Sequence, residues 1–281
     1  MGKGKLLICA TPIGNLKDIT LRVLEELKGV DLIAAEDTRH TKKLLTRYGI
    51  KTKLTSYHEH NEIVKAKNLF RKLKDGSKIA LVSDAGTPGL SDPGYHLIKT
   101  CVESGVDIEV LPGPCAAVSA LVISGLPTDS FVFQGFSPKK KGERCRVLSE
   151  LASGKRTLVF YESPHRVKNF LENSLEILGD RRMALVRELT KKFEEVIRGS
   201  ITEVLSKIKD RELKGEIVVV FEGAKKKRDF DGKTVRNEVV ILMSRGFGKK
   251  EAIKMVSKEC ELPKRVVYEA VKDISAKEGG N

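Results

Sequence analysis

The sequence predicts an α/β fold in two successive layers, a parallel sheet and then a mixed one, followed by a small helical domain. Three observations predict it. Short β-rich runs alternate with amphipathic helical stretches through the first 111 residues, as strands joined by crossover helices do. A second alternating set runs from about 126 to 224, and two of its apolar runs stand too close together for a crossover. Beyond 224 the chain turns polar and charged, then helical. The expected domains are therefore 1–114, 115–224 and 225–281.

In the first set the strands are KLLICA (5–10), DLIAAE (31–36), LTSY (54–57), KIALVS (78–83) and DIEVL (107–111). Helices are expected near 20–28, 40–48, 61–74 and 95–105. The loop SDAGTPGLSDPG (83–94) follows the fourth strand and carries three glycines, two prolines and the carboxylates Asp84 and Asp92. Its backbone is bent and pinned, with few side chains to hold a ligand away. Pro112-Gly113-Pro114 stops the last strand, and the small-residue apolar helix CAAVSALVISG (115–125) follows as a hinge. In the second set the strands are FVFQGF (131–136), TLVFYE (157–162), MALVRE (183–188), EEVIRG (194–199) and EIVVVFEG (216–223). The runs at 183–188 and 194–199 are expected to pair as a hairpin, which makes this sheet mixed. KKKRDFDGK (225–233) reads as a linker, and helices near 234–245, 249–259 and 263–274 as a compact trio resembling a helix-turn-helix.

Composition narrows the function. The 281 residues are 40% hydrophobic and 32% charged, ordinary for a globular protein. Lys+Arg 52 against Asp+Glu 38 leaves a net charge of +14, which favours a polyanionic partner such as RNA. The longest apolar runs are strand-sized, so no membrane span is expected, and LLICA (6–10) is too short for a signal-peptide core. Five scattered cysteines with no C-x-x-C spacing suggest reduced thiols in the cytoplasm and no metal framework. No G-x-G-x-x-G follows the first strand, Gly232-Lys233-Thr234 lacks the rest of a P-loop, and His58-Glu59-His60 stands without a third ligand. What remains is four polar loops after N-terminal strands: 11–18, 35–43, 56–62 and 83–94. In a parallel sheet such loops converge on one edge. They bring acids (Glu36, Asp37, Asp84, Asp92), bases (Arg39, His58, His60) and hydroxyls (Thr38, Tyr57) together.

TPIGNL, AEDTRHTKKLL, SYHEHNE, SDAGTPGLSDPGYHL, LPGPCAAVSAL, FQGFSPKKKGER, FYESPHR, RELTKKFEEVIRG and KGEIVVVFEG occur in that order. Together they closely resemble the bacterial cytidine 2′-O-methyltransferases of small-subunit ribosomal RNA. That family lies in the tetrapyrrole-methylase-like class of S-adenosylmethionine (SAM) methyltransferases. The resemblance covers most of residues 5–223 and implies two α/β domains of the tetrapyrrole methylase type, with SAM in the cleft between them, and a homodimer. It places SAM contacts at Pro12, at Ser83, Asp84, Ala85, Gly86, Thr87, Asp92, Pro93 and Gly94, and at Cys115, Ala116 and Ala117. Phe160, Tyr161 and Glu162 complete them with Gly215 and Glu216. It implies neither a metal nor a covalent intermediate.

For transfer to a ribose oxygen, the candidate proton acceptors are Asp37, Glu36 and His58, with Arg39 gripping a substrate phosphate. Asp37 and Arg39 have a second reading, as a helix cap and its ion pair. Lys139, Lys140, Lys141 and Arg144, with Lys191-Lys192 and the basic tail, are expected to line a path for 16S ribosomal RNA within the small subunit. Two other readings stay open: a small-molecule (tetrapyrrole-type) methyltransferase of the same class, and a non-catalytic RNA-binding protein.

Overall fold

The computed structural model describes residues 4–224, 232–260 and 262–274. The chain divides into two compact units, Met1–Ala224 and Lys225–Asn281.

The first unit opens with β1 (Lys5–Cys9), β2 (Leu32–Ala35), β3 (Leu54–Ser56), β4 (Lys78–Val82) and β5 (Asp107–Leu111). They form a fully parallel sheet in the order β3-β2-β4-β1-β5. Between them run α1 (Leu21–Gly29), α2 (Thr38–Arg47), α3 (Glu62–Lys74) and α4 (Tyr95–Glu103). Strands covered on both faces read as near-continuous apolar runs, and LLIC, IAA and IALV do. Leu7, Cys9, Ile33 and Val82 face one cluster with Val23, Leu27, Leu44 and Leu45. Leu6, Ala34, Ile79 and Leu81 face the other with Leu69, Leu73 and Leu97. Each such side chain contributes roughly 1.5–3 kcal/mol on burial. The Thr20 hydroxyl accepts from Val23 N–H and starts α1.

The mixed sheet is β6 (Phe131–Phe136), β7 (Thr157–Glu162), β8 (Arg182–Arg187), β9 (Glu195–Ser200) and β10 (Ile217–Phe221), in the order β6-β7-β10-β8-β9. β6 and β7 are parallel, and the other neighbours are antiparallel. The hairpin expected at 183–188 and 194–199 forms as β8 and β9. α5 (Ala116–Ser124) packs Ala117, Ala120 and Leu121 on one face of this sheet. α6 (Lys141–Leu151), α7 (Val167–Leu178) and α8 (Ile201–Ile208) cover the other face. Phe160, Phe170 and Phe221 meet there with ring centroids 5.1–6.1 Å apart. Residues 139–144 follow β6. α6 begins inside that run, at Lys141.

In the second unit, α9 (Gly232–Ser244), α10 (Lys249–Glu259) and α11 (Lys264–Val271) enclose Val235, Val239, Ile253, Val256, Val267 and Val271. The linker expected at 225–233 falls mostly outside the described residues. Among the described residues no helix is long and apolar enough to cross a membrane.

Candidate active site

The parallel sheet changes strand order at β1, whose neighbours are β4 and β5, and ligands bind outside the carboxyl ends at such a switch. The loops leaving β1 and β4 are tied there by a two-way backbone bridge: Thr11 N–H donates to Gly86 O at 2.8 Å and Gly86 N–H to Thr11 O at 3.0 Å. The Thr11 hydroxyl also donates to Ser83 O at 3.1 Å. Gly94 turns the 83–94 loop into α4 at φ +152°, and a Cβ there would stand 3.0 Å from Gly89 N. The loop folds back on itself because both positions lack side chains.

A cleft of about 280 Å³ opens between this loop and the second sheet. That lies near the lower end of the usual ~300–1,000 Å³ for small-molecule sites. Ala85, Gly86, Thr87 and Asp92 line it from the first layer, and Cys115, Ala116, Tyr161, Glu162, Gly215 and Glu216 from the second. These are ten of the residues expected at SAM. Ser83, Asp84, Pro93, Gly94 and Ala117 lie beside the wall, in the loop or in α5. Ile13 lines the cleft in place of Pro12.

The Phe160 side chain does not line the cleft. Successive strand residues face opposite ways, so Tyr161 faces the cleft while Phe160 is fully buried among α6–α8. Leu90, Phe136, Ile217 and Val218 were missed, since a lone apolar side chain carries no chemical signature in sequence.

The electrostatics of the cleft are unusual for so basic a chain. Its lining includes Asp92, Glu162 and Glu216, and no lysine, arginine or histidine. The Glu162 carboxylate is engaged internally: it accepts from the Ser137 hydroxyl, from Ser163 N–H at 2.7 Å and pairs with Arg166 at 2.5 Å. Among the described residues Asp92 has no cationic partner. Burial, then the charges of Glu36 and Asp84, push its carboxyl up to about 7, against a hydrogen bond with Ser83. The Cys115 side chain does not cap α5, and the Tyr161 hydroxyl accepts from the Ala117 amide in its first turn, so the helix start at the cleft wall is partly engaged. An apolar wall, a carboxyl raised by burial and a helix start suit a ligand bearing a cation, a carboxylate and an apolar body. SAM has those three features, and the residues present fit it.

The acids gather as expected. Asp84 N–H donates to Glu36 Oε2 at 3.2 Å, and Asp37 N–H donates to Asp84 Oδ1 at 3.0 Å. Burial, with Asp84 and Asp37 adding to it, pushes the Glu36 carboxyl up. Asp37 moves the opposite way. It caps α2 by accepting from Arg39 N–H at 2.8 Å, and a forked pair with the Arg39 guanidinium, 2.7 Å at its shortest, holds its carboxyl far below the usual range. His58 sits in a separate web, its Nε2 2.9 Å from the Asn61 amide nitrogen.

Two basic groups behave differently from expectation. Arg144 is 6% exposed, and its guanidinium donates to Asn173 Oδ1 and to the carbonyls of Pro138 and Lys139. It braces the start of α6 and is not a surface phosphate contact, while Lys139, Lys140 and Lys141 are exposed. Lys191 bridges Glu188 at 2.8 Å and Glu216 at 2.9 Å at the cleft mouth.

Residues 5–205 match the Tetrapyrrole (Corrin/Porphyrin) Methylases family. The chain is 46% identical to the ribosomal RNA small subunit methyltransferase I of Halalkalibacterium halodurans, covering 95% of this chain and 94% of that one. It is 47% identical to the protein of the same name from Thermotoga maritima, over 78% of this chain and 99% of that one. Among solved structures, the methyltransferase CobJ matches with a TM-score of 0.60 at 20% identity, over 80% of this chain and 95% of that one, a likeness of fold alone. The chain belongs to the tetrapyrrole (corrin/porphyrin) methylase family and, within it, to the ribosomal RNA small subunit methyltransferase I group.

Proposed function

We propose that this chain transfers a methyl group from SAM to the 2′-oxygen of a cytidine ribose in 16S ribosomal RNA. The observation that carries the reading is the cation-free, acid-bearing apolar cleft in a chain of net charge +14: one surface suits a cationic donor and the rest a polyanion. The names of the relatives point the same way.

When bound, SAM supplies a methyl on a sulfonium, which moves by in-line displacement at carbon. The chain's part is mainly placement. The start of α5 and the Ala85-Gly86-Thr87 loop would hold the ligand's methionyl part, and Tyr161, Phe136 and Ile13 would exclude water. Correct alignment is worth up to ~7–11 kcal/mol. The hydroxyl proton goes to the Glu36 and Asp92 carboxyls, both pushed up by burial and by the Asp84 charge, Asp92 to about 7. Asp37, tied to Arg39, is a weak base and orients that arginine toward a substrate phosphate.

Lys139, Lys140 and Lys141 at the start of α6 and the basic second unit extend the RNA surface. Val118 and Val122, one turn apart on α5 and 49% and 68% exposed, support a homodimer. Five free cysteines suit the cytoplasm. The test is to incubate the pure protein, SAM and small subunits from cells lacking this enzyme, then map ribose methylation by mass. One new cytidine 2′-O-methyl is expected. Subunits left unmodified while the protein binds SAM would overturn the RNA substrate.

A further inference from the structure

A second groove lies outside the cleft, between α2 and the edge strand β3, with a volume of about 740 Å³. Thr38, Arg39, Lys42, Lys51, Thr55 and Ser56 are among its lining residues. The segment that builds it is one-sided in charge. From 38 to 58 the chain has six Lys and Arg and no Asp or Glu. Among the described residues, only Arg39 of those six has an ion-pair partner. The other five cations repel one another, which costs the segment some stability.

The topology gives the groove a direction. Lys51 lies three residues before β3 and Ser56 ends the strand, a run that spans at most about 17 Å when fully extended. Because β3 is parallel to β2, β4 and β1, its carboxyl end opens on the edge that holds the cleft. Arg39 stands at that end. Asp37 holds its Nε and Nη2, which leaves Nη1 free, and Asp37 N–H is bonded to Asp84 of the cleft loop. The β3 backbone adds donors of its own. Lys53 O and Tyr57 N bond β2, so by alternation the N–H groups of Leu54 and Ser56 point away from it along the open edge.

We propose that the α2–β3 groove is the track on which the phosphodiester backbone of single-stranded substrate RNA lies, from Lys51 through Lys42 to Arg39, delivering the next ribose to the cleft. The inference rests on the RNA reading of the cleft. It assigns phosphate contacts to residues other than Lys139–Lys141 and the helical tail.

The competing role for Lys51 is to guard an edge strand against pairing with a second chain. The double variant Lys42→Ala/Lys51→Ala separates the two, with purified 16S ribosomal RNA as the probe. On a single strand each phosphate contact contributes a salt slope of about 0.7, so two lost contacts should flatten log K against log salt by about 1.4 and weaken binding roughly tenfold near physiological salt. SAM affinity by calorimetry should stay at the wild-type value. A variant that keeps wild-type RNA affinity and slope overturns the track, whether or not it self-associates. A wild-type chain that ignores the RNA at every salt concentration overturns the RNA reading and the track with it. Lys42→Arg/Lys51→Arg should restore the slope, since phosphate binding needs the charge.

Discussion

At the residue scale, one local difference decides how four neighbouring carboxyls behave. Asp37 has a forked guanidinium partner, while Glu36 and Asp92 have each other, Asp84 and partial burial. Glu36→Gln should therefore lower kcat by roughly 10²–10⁴ with SAM affinity intact. Asp37→Asn should keep the α2 cap, since Asn caps as well as Asp, and through the lost Arg39 fork raise KM for RNA more than it lowers kcat. Equal kcat losses in both variants would return the base assignment to Asp37. The Asp92 carboxyl also sets a pH dependence. Its folded value, about 7, lies above its ordinary 3.8, so the folded chain holds this proton more tightly. The stability it contributes is complete below about pH 4 and is lost as pH rises to 7. Asp92→Asn should then match wild type near pH 3 and exceed it at pH 8, by on the order of 1–2 kcal/mol after discounting for partial exposure. Thermal melts at the two pH values check this. Glu195 runs the other way: Arg211 and Arg187 hold it down to about 2, so its contribution is present above pH 4.5 and lost on acidification.

At the element scale, the cleft depends on how the β8–β9 turn meets the loop after β1. Asn15 N–H donates to the Thr190 hydroxyl at 3.0 Å. A Cβ on Gly14 would stand 2.6 Å from Lys191 Cγ and 2.9 Å from Leu189 O, a backbone atom that cannot swing aside. Gly14→Ala should push the two layers apart, costing about 1–3 kcal/mol of stability and raising the SAM Kd about tenfold. Unchanged calorimetry would mean that the turn does not set the cleft width. Sequence periodicity made most of these elements readable. The apolar runs at 78–83 and 183–188 begin and end within a residue of β4 and β8, because Gly, Pro and charged residues bound them. It could not say which face of a strand buried on both sides meets a ligand, and so Phe160 and Tyr161 were taken together. α6 was hidden for a different reason: only Arg144 and Leu148 are buried, too few to mark an apolar stripe. The polar loops were legible because their acids and glycines are chemically distinctive. Leu90, Phe136 and Ile13 look like any core residue until the loops are folded.

At the scale of the whole molecule, the two units carry separable tasks. The first has four clusters of buried apolar residues, two per sheet, and holds every residue of the cleft and of the α2–β3 groove. The second has its own core, with nine buried apolar residues among the described ones. The Thermotoga maritima relative is informative here. Its length is matched to 99% by 220 residues of this chain, close to the size of Met1–Ala224, so a relative of that name exists with no counterpart to about a fifth of this sequence. A chain ended after Ala224 should accordingly fold, keep its SAM affinity within about twofold, and melt cooperatively as small domains do. It should bind RNA less tightly at low salt, because residues 224–281 carry 15 Lys and Arg against 9 Asp and Glu. The salt slope distinguishes the roles: a tail that contacts phosphates takes slope with it when removed, whereas a tail that only packs leaves the slope at the value set by α2, β3 and the start of α6. If the shortened chain loses SAM binding as well, the second unit supports the cleft, and the division of labour drawn from the two cores is wrong.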